Sequence, residues 1–129
     1  MELTESEALR AYARMLNTLD VQPLEDLLAE DFVYESQNVL EPLASRQAFL
    51  DYMRPKRQTI ASAGATVYAE MGTVDTHVEN QLCVILAQND RSNLVGVVLA
   101  KVEGGLLKRL DLCIVPPPET AERSGEYPR

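Results

Sequence analysis

Asp111 stands in the apolar run Leu110-Asp111-Leu112, where half-burial would raise its pKa and suit it to moving a proton. The competing reading is an ion pair with Arg109, which strand alternation places on the same face two residues earlier. His77 is the single histidine, in Val74-Asp75-Thr76-His77-Val78-Glu79. Beside Asp75 or Glu79 it could shuttle a proton, but a polar loop joining two strands accounts for it more simply. No serine shares a local motif with His77, so no Ser-His-Asp grouping can be argued. The two cysteines, Cys83 and Cys113, lie inside separate apolar runs, the placement of small buried hydrophobes rather than of a disulfide. Two cysteines and one histidine fall short of the roughly four ligands a structural zinc needs. No metal and no cofactor are expected.

A formal net charge of −8 disfavours partners whose binding relies on neutralised phosphates, so no nucleic acid is expected. The one basic cluster, Arg54-Pro55-Lys56-Arg57, reads as an anion contact or, more simply, as a solvated helix face. The start Met1-Glu2-Leu3-Thr4-Glu5 has neither the positive charge nor the apolar core of a signal peptide. No apolar run approaches the roughly 20 residues of a membrane span. A cytoplasmic protein without membrane contact is the resulting expectation. The 129 residues fit one domain, able to bury about two-thirds of the surface its unfolded chain would expose.

The elements that must position these side chains follow from periodicity. Thr4-Glu5-Ser6-Glu7 reads as a capping box, and Leu9, Tyr12, Ala13, Leu16 and Leu19 then recur at three- and four-residue steps, one apolar stripe on a helix ending near Thr18. Asp20 can cap a second, short helix that tolerates Pro23 in its first turn and buries Leu24, Leu27 and Leu28. From Asp31 the pattern alternates: Phe32, Tyr34 and Ser36 point one way, Val33, Glu35 and Gln37 the other. Ser45 opens a third helix through Phe49, Leu50, Met53 and Ile60, which Pro55 should kink or break near Arg54, with Gly64 a natural stop. Strand character then appears around Thr66–Gly72, Gln81–Gln88, Leu94–Glu103 and Leu106–Val115, separated in part by the turns Asn89-Asp90-Arg91-Ser92 and Gly104-Gly105. Such short connections predict antiparallel neighbours.

Leu94, Val98 and Val102 alternate with Val95, Val97 and Leu99, so both faces of the sheet need cover. The helices can supply one face, and a second copy of the chain is the simplest cover for the other. From Pro116 the composition shifts to proline and polar residues with no periodicity. The expectation is a domain over 1–115 and a mobile tail over 116–129, either solvated or a polyproline ligand.

The order helix, short helix, strand, long helix, then four antiparallel strands, with Ala29-Glu30-Asp31-Phe32 closing the second helix, resembles the nuclear transport factor 2-like superfamily. That superfamily includes ketosteroid isomerases and SnoaL-like polyketide cyclases. The resemblance covers about residues 4 to 115. It implies an α+β, cystatin-like fold: a cone-shaped half-barrel of N-terminal helices on a curved antiparallel or mixed sheet, with a pocket at its open end and commonly a dimer through the sheet.

In an ungapped match to the ketosteroid isomerase pattern, Tyr12 falls where that family has its oxyanion-donating tyrosine. That match runs from the first helix into the first strand, where the family's general-base aspartate falls on Ser36, far too weak a base alone; in the strand Leu94 to Val102 the resemblance places its second oxyanion acid on Val98, which donates nothing. Since losing one such donor costs about a hundredfold in rate, steroid isomerisation by that route is not expected. Glu35 is the nearest carboxylate to the vacant position, but alternation turns it outward unless a bulge reverses it. Tyr12, Phe32, Tyr34, Ser36, Phe49, Tyr52, Met53 and Val98 are the candidate pocket residues, either lining the cone mouth or filling it as core. Three functions remain open: a homodimeric pocket protein for a small hydrophobic molecule; a SnoaL-like enzyme with Tyr12 as donor and Asp111 or Glu35 as base; and an assembly module with a filled cone.

Overall fold

The computed structural model describes residues 3–37, 41–53 and 66–129. Helix α1 (Glu5–Thr18) starts on the expected capping box: the Thr4 hydroxyl accepts the Glu7 amide at 3.1 Å, and the Glu7 carboxylate accepts the Thr4 amide at 3.2 Å. It buries Leu9, Tyr12, Met15 and Leu16, and ends as Leu19 turns left-handed at φ 57°. A single turn, α2 (Gln22–Glu25), follows, with the Asp20 carboxylate accepting the Gln22 amide at 3.0 Å.

Strand β1 (Leu28–Ser36) begins earlier than alternation predicts. Residues 28–31 do not close α2 but enter the sheet, where Leu28 lies opposite Leu107 and the Leu107 amide donates to the Leu27 carbonyl at 2.8 Å. A one-turn helix has almost no propagation to hold it, so the ladder wins. Helix α3, of which residues 46–53 are described, starts where the Ser45 hydroxyl accepts the Ala48 amide at 3.0 Å. The kink expected at Pro55, the Arg54-Pro55-Lys56-Arg57 cluster, Ile60 and Gly64 lie outside the described residues.

Strands β2 (Val67–Val74), β3 (Gln81–Gln88), β4 (Leu94–Glu103) and β5 (Leu106–Cys113) form an antiparallel meander, and β1 joins β5 in parallel. The β4–β5 turn uses Gly104 and Gly105 at φ 62° and 78°, a pair of left-handed positions that favours glycine. With a short last strand, β6 (Glu122–Arg123), the sheet order is β1-β5-β4-β3-β2-β6.

The sheet divides the core. Against the helices lies the main cluster, including Leu9, Tyr12, Met15, Phe32, Phe49, Val84, Val98 and Leu110. On the opposite face, here called outer, Val74, Cys83, Ile85 and Val97 form a second cluster, with Leu99, Cys113 and Ala121 packed on it.

Ala121 belongs to the segment expected to be a mobile tail, and here the structure differs from the sequence reading. Residues Pro118–Thr120 form a 3-10 turn, and β6 then pairs antiparallel with β2, Gly72 opposite Arg123 and Thr73 opposite Glu122. The segment runs from β5 across β4 to the far edge of the sheet as a strap. It has no apolar periodicity because its apolar contacts are isolated residues, Pro118 and Ala121, and most of its anchoring is by hydrogen bonds to other elements. The domain therefore does not stop at residue 115, and part of the outer face is covered by this chain itself.

Candidate functional site

A cavity of about 270 Å³ opens between α1, β1, α3 and the helix-facing side of the sheet. Tyr12 and Leu16 enter it from α1, Tyr34 from β1 and Met53 from α3; the sheet contributes Val67, Leu86, Gln88, Val95 and Leu112. Val95 reaches the wall because β4 carries one extra residue there: Leu86 faces Gly96 while Ala87 faces Leu94. Such a bulge re-aims a side chain. Sequence alternation gives no sign of it.

Of the expected pocket residues, Tyr12, Tyr34 and Met53 line the cavity. Phe32, Phe49 and Val98 are fully buried beneath it, with the Phe32 and Phe49 rings edge-on at 4.9 Å and Tyr34 against Phe49 at 5.3 Å. Tyr52 is half-buried, its ring 6.2 Å from that of Tyr34. Ser36 is buried and hydrogen-bonds Tyr34. The cone is thus partly filled and partly open.

The hydroxyls in this cavity are held neutral. Burial pushes Tyr12 well above the ordinary tyrosine range, and the neighbouring Tyr34 and Tyr52 add to it. Tyr34 is raised to about 12 by burial and then by Tyr52, with the Ser36 hydrogen bond opposing. A phenol kept protonated is a hydrogen-bond donor to an oxygen rather than a proton acceptor. Among the described lining residues there is no carboxylate and no imidazole.

The two candidate bases lie on the other side of the sheet. Glu35 and Asp111 are direct neighbours in the parallel β1–β5 ladder. Arg109 Nε donates to both Asp111 carboxylate oxygens at 3.0 Å, while its Nη2 donates to Glu35 Oε2 at 2.8 Å. The ion-pair reading of Asp111 is the one observed, and the two carboxylates raise the Arg109 pKa, Asp111 foremost. Leu110 belongs to the helix-side core and Leu112 lines the cavity, so alternation carries Asp111 outward. Tyr12, Asp111 and Glu35 are not brought together. A shallower outer trough of about 440 Å³ runs beside Glu35, Asp111, Leu99 and Cys113. His77 is exposed in the β2–β3 loop, where the Asp75 carboxylate accepts the Asn80 amide at 2.9 Å.

No protein-family model matches the sequence, and no curated protein does. Solved structures do. An NTF2-like protein of unknown function from Mesorhizobium loti superposes with a TM-score of 0.62 at 19% identity, covering 94% of this chain and 91% of that one. An uncharacterised cystatin-fold protein from Novosphingobium aromaticivorans gives 0.58 at 15%, over 86% and 98%. A protein proposed to be a polyketide cyclase, from Xanthomonas campestris pv. campestris, gives 0.56 at 16%, over 84% and 90%. Identities this low speak to the fold and not to the reaction. With an N-terminal helix packed on a curved, unclosed mixed sheet that has six strands among the described residues, the chain has the nuclear transport factor 2-like, cystatin-like fold.

Proposed function

We propose that the protein binds a small, largely apolar molecule of one or two rings that carries a carbonyl or phenolic oxygen. The observation that supports this reading is the pair of neutral hydroxyls, Tyr12 and Tyr34, in an apolar cavity whose described lining has no acid or base. A cavity of about 270 Å³ sits just below the usual range of roughly 300–1,000 Å³ for drug-sized ligands, hence the small ring count. Proton-transfer catalysis gains no support, because a base must stand within hydrogen-bond reach of the proton it takes, and both candidate carboxylates are paired to Arg109 on the opposite face.

Thermal shift and calorimetry with 2-naphthol, 1-indanone and naphthalene test the reading. The two oxygenated probes should stabilise the protein at high excess more than naphthalene does. Tyr12→Phe should weaken 2-naphthol about tenfold, the worth of one hydrogen bond, and leave naphthalene unaffected. Absence of stabilisation by all three overturns the proposal.

For the part of the outer face that the strap leaves bare, where Val115 is exposed beside Leu99 and Cys113, we propose a second copy of the chain as cover. Sedimentation at micromolar concentration should give a dimer. A monomer at that concentration removes this part of the reading.

A further inference from the structure

Glu70 is the one buried charged residue among those described, 3% exposed on the outer side of β2. Every partner observed for its carboxylate comes from the C-terminal strap. Arg123 Nε donates to Oε1 and the Gly125 amide to Oε2, both at 2.7 Å, and the Tyr127 hydroxyl donates to Oε1 at 3.3 Å. Arg123 also donates from Nη2 to the Arg91 carbonyl at 2.8 Å, and the Arg91 guanidinium stacks over the Tyr127 ring at 4.5 Å. Main-chain bonds join the strap to β2 as well: the Met71 amide donates to the Glu126 carbonyl at 2.9 Å, and the Ser124 amide to the Met71 carbonyl at 3.2 Å.

Past the sheet edge the same segment reaches α1. Glu126 pairs with Arg10, Arg14 Nε donates to the Arg129 main-chain oxygen at 3.2 Å, and Asn17 Nδ2 donates to the Pro128 carbonyl at 2.7 Å. Residues 10, 14 and 17 share one stripe of the helix. Asn17 is a junction, because its side chain also accepts the Ala69 amide at 2.8 Å and donates to the Ala69 carbonyl at 2.9 Å. The strap thus joins β2 to α1, and these two elements contribute Val67, Tyr12 and Leu16 to the cavity wall.

We infer that the C-terminal strap is a latch that sets α1 over the cavity, with Glu70 and Arg123 as its positioning residues and Asn17 as the point where strap, helix and sheet meet. Undocking is close to all-or-none, since lifting Arg123 strands a buried carboxylate. By reciprocity, a ligand that needs α1 in place tightens the strap, and a docked strap raises affinity for that ligand. This last step rests on the pocket reading; the mechanical step does not.

Amide hydrogen exchange on the 129-residue chain separates the two. In Arg123→Ala, exchange should rise about tenfold or more in residues 118–129, because the buried Glu70 carboxylate loses its partly exposed cation, and several-fold in residues 10–18. Residues 94–113 should keep their protection. Arg123→Lys, which retains the charge but not the simultaneous donation to Glu70 and the Arg91 carbonyl, should fall between, and it carries the test if the alanine variant does not fold. Exchange that rises in the strap alone, or equally across the whole domain, overturns the latch. Adding 2-naphthol to the wild type should slow exchange in the strap. Should 2-naphthol fail to bind the wild type, the pocket reading fails with it, while exchange in residues 10–18 still decides the latch.

Discussion

The two faces of the sheet handle polarity in opposite ways. On the helix side, the polar side chains described in the cavity wall are uncharged: the Gln88 amide and the Tyr12 and Tyr34 hydroxyls, which burial keeps neutral. On the outer side, Glu70, Glu35 and Asp111 each meet an arginine, Arg123 in the first case and Arg109 in the other two. The difference follows from what each face can supply. A charge removed from water needs a partner with good geometry, and the outer face is reached by Arg109 from within the sheet and by Arg123 from the strap. Among the described residues, the parts of α1 and α3 that pack on the helix face are apolar or aromatic and offer no counter-charge. A site that recognises its ligand through neutral donors is what that environment permits.

The contrast is broken most severely from the helix side. Phe49 is fully buried against Phe32 and Tyr34, so Phe49→Ala removes packing from the floor of the cavity and leaves a void. The expected cost is about 3–5 kcal/mol, read as a shift in the denaturant midpoint. A cost under about 1 kcal/mol would mean that this side is a loose cone rather than a packed one.

Much of this face was legible in the sequence and most of the outer face was not. The capping box at Thr4, the stripe through Tyr12 and Leu16, and the full extents of β3 and β4 are set by local periodicity. Tyr12, Tyr34 and Met53 could be placed at the cavity because alternation and helical spacing fix which way they face. Val95 could not, since a one-residue bulge leaves no mark on hydrophobicity. Glu70 and Arg123 were missed for a different reason: in a run such as Tyr68-Ala69-Glu70-Met71 an acid at an outward position reads as solvated, and its partner lies in a segment that looks structureless by composition. The usable signal was Glu70 inside an otherwise uncharged strand, facing a terminal stretch that holds a basic residue.

Raising the pH acts on the helix side with a smaller effect. The folded state holds Tyr34 near 12 and Tyr12 well above 10, both chiefly through burial, while an unfolded tyrosine titrates near 10. The native state therefore binds more protons than the unfolded one between these values. Stability from this source is complete below about pH 10 and is lost as pH climbs from there through the folded pKa. Spectrophotometric titration at 295 nm should show that part of the five tyrosines ionises only as the fold is lost. Full ionisation near pH 10 with the circular dichroism unchanged would place these hydroxyls in water.

The smallest effect belongs to the outer carboxylates, and it separates the binding reading from the catalytic one. Glu35 and Asp111 keep 50% and 31% of their side-chain exposure, and Arg109 keeps 36%, so solvent screens the triad and each pair contributes about 0–1 kcal/mol. Neutralising them as Glu35→Gln and Asp111→Asn removes the attraction to Arg109 but opens no cavity. The double variant should lose at most about 1–2 kcal/mol of stability, with 2-naphthol affinity unchanged within about twofold. A large loss of affinity would connect the outer carboxylates to the cavity through the sheet and return Asp111 to the list of groups that act on a bound molecule. Unchanged affinity with a small stability loss leaves them as the charged dressing of a face whose part in binding is to hold β1 and β5 in register beneath Tyr34.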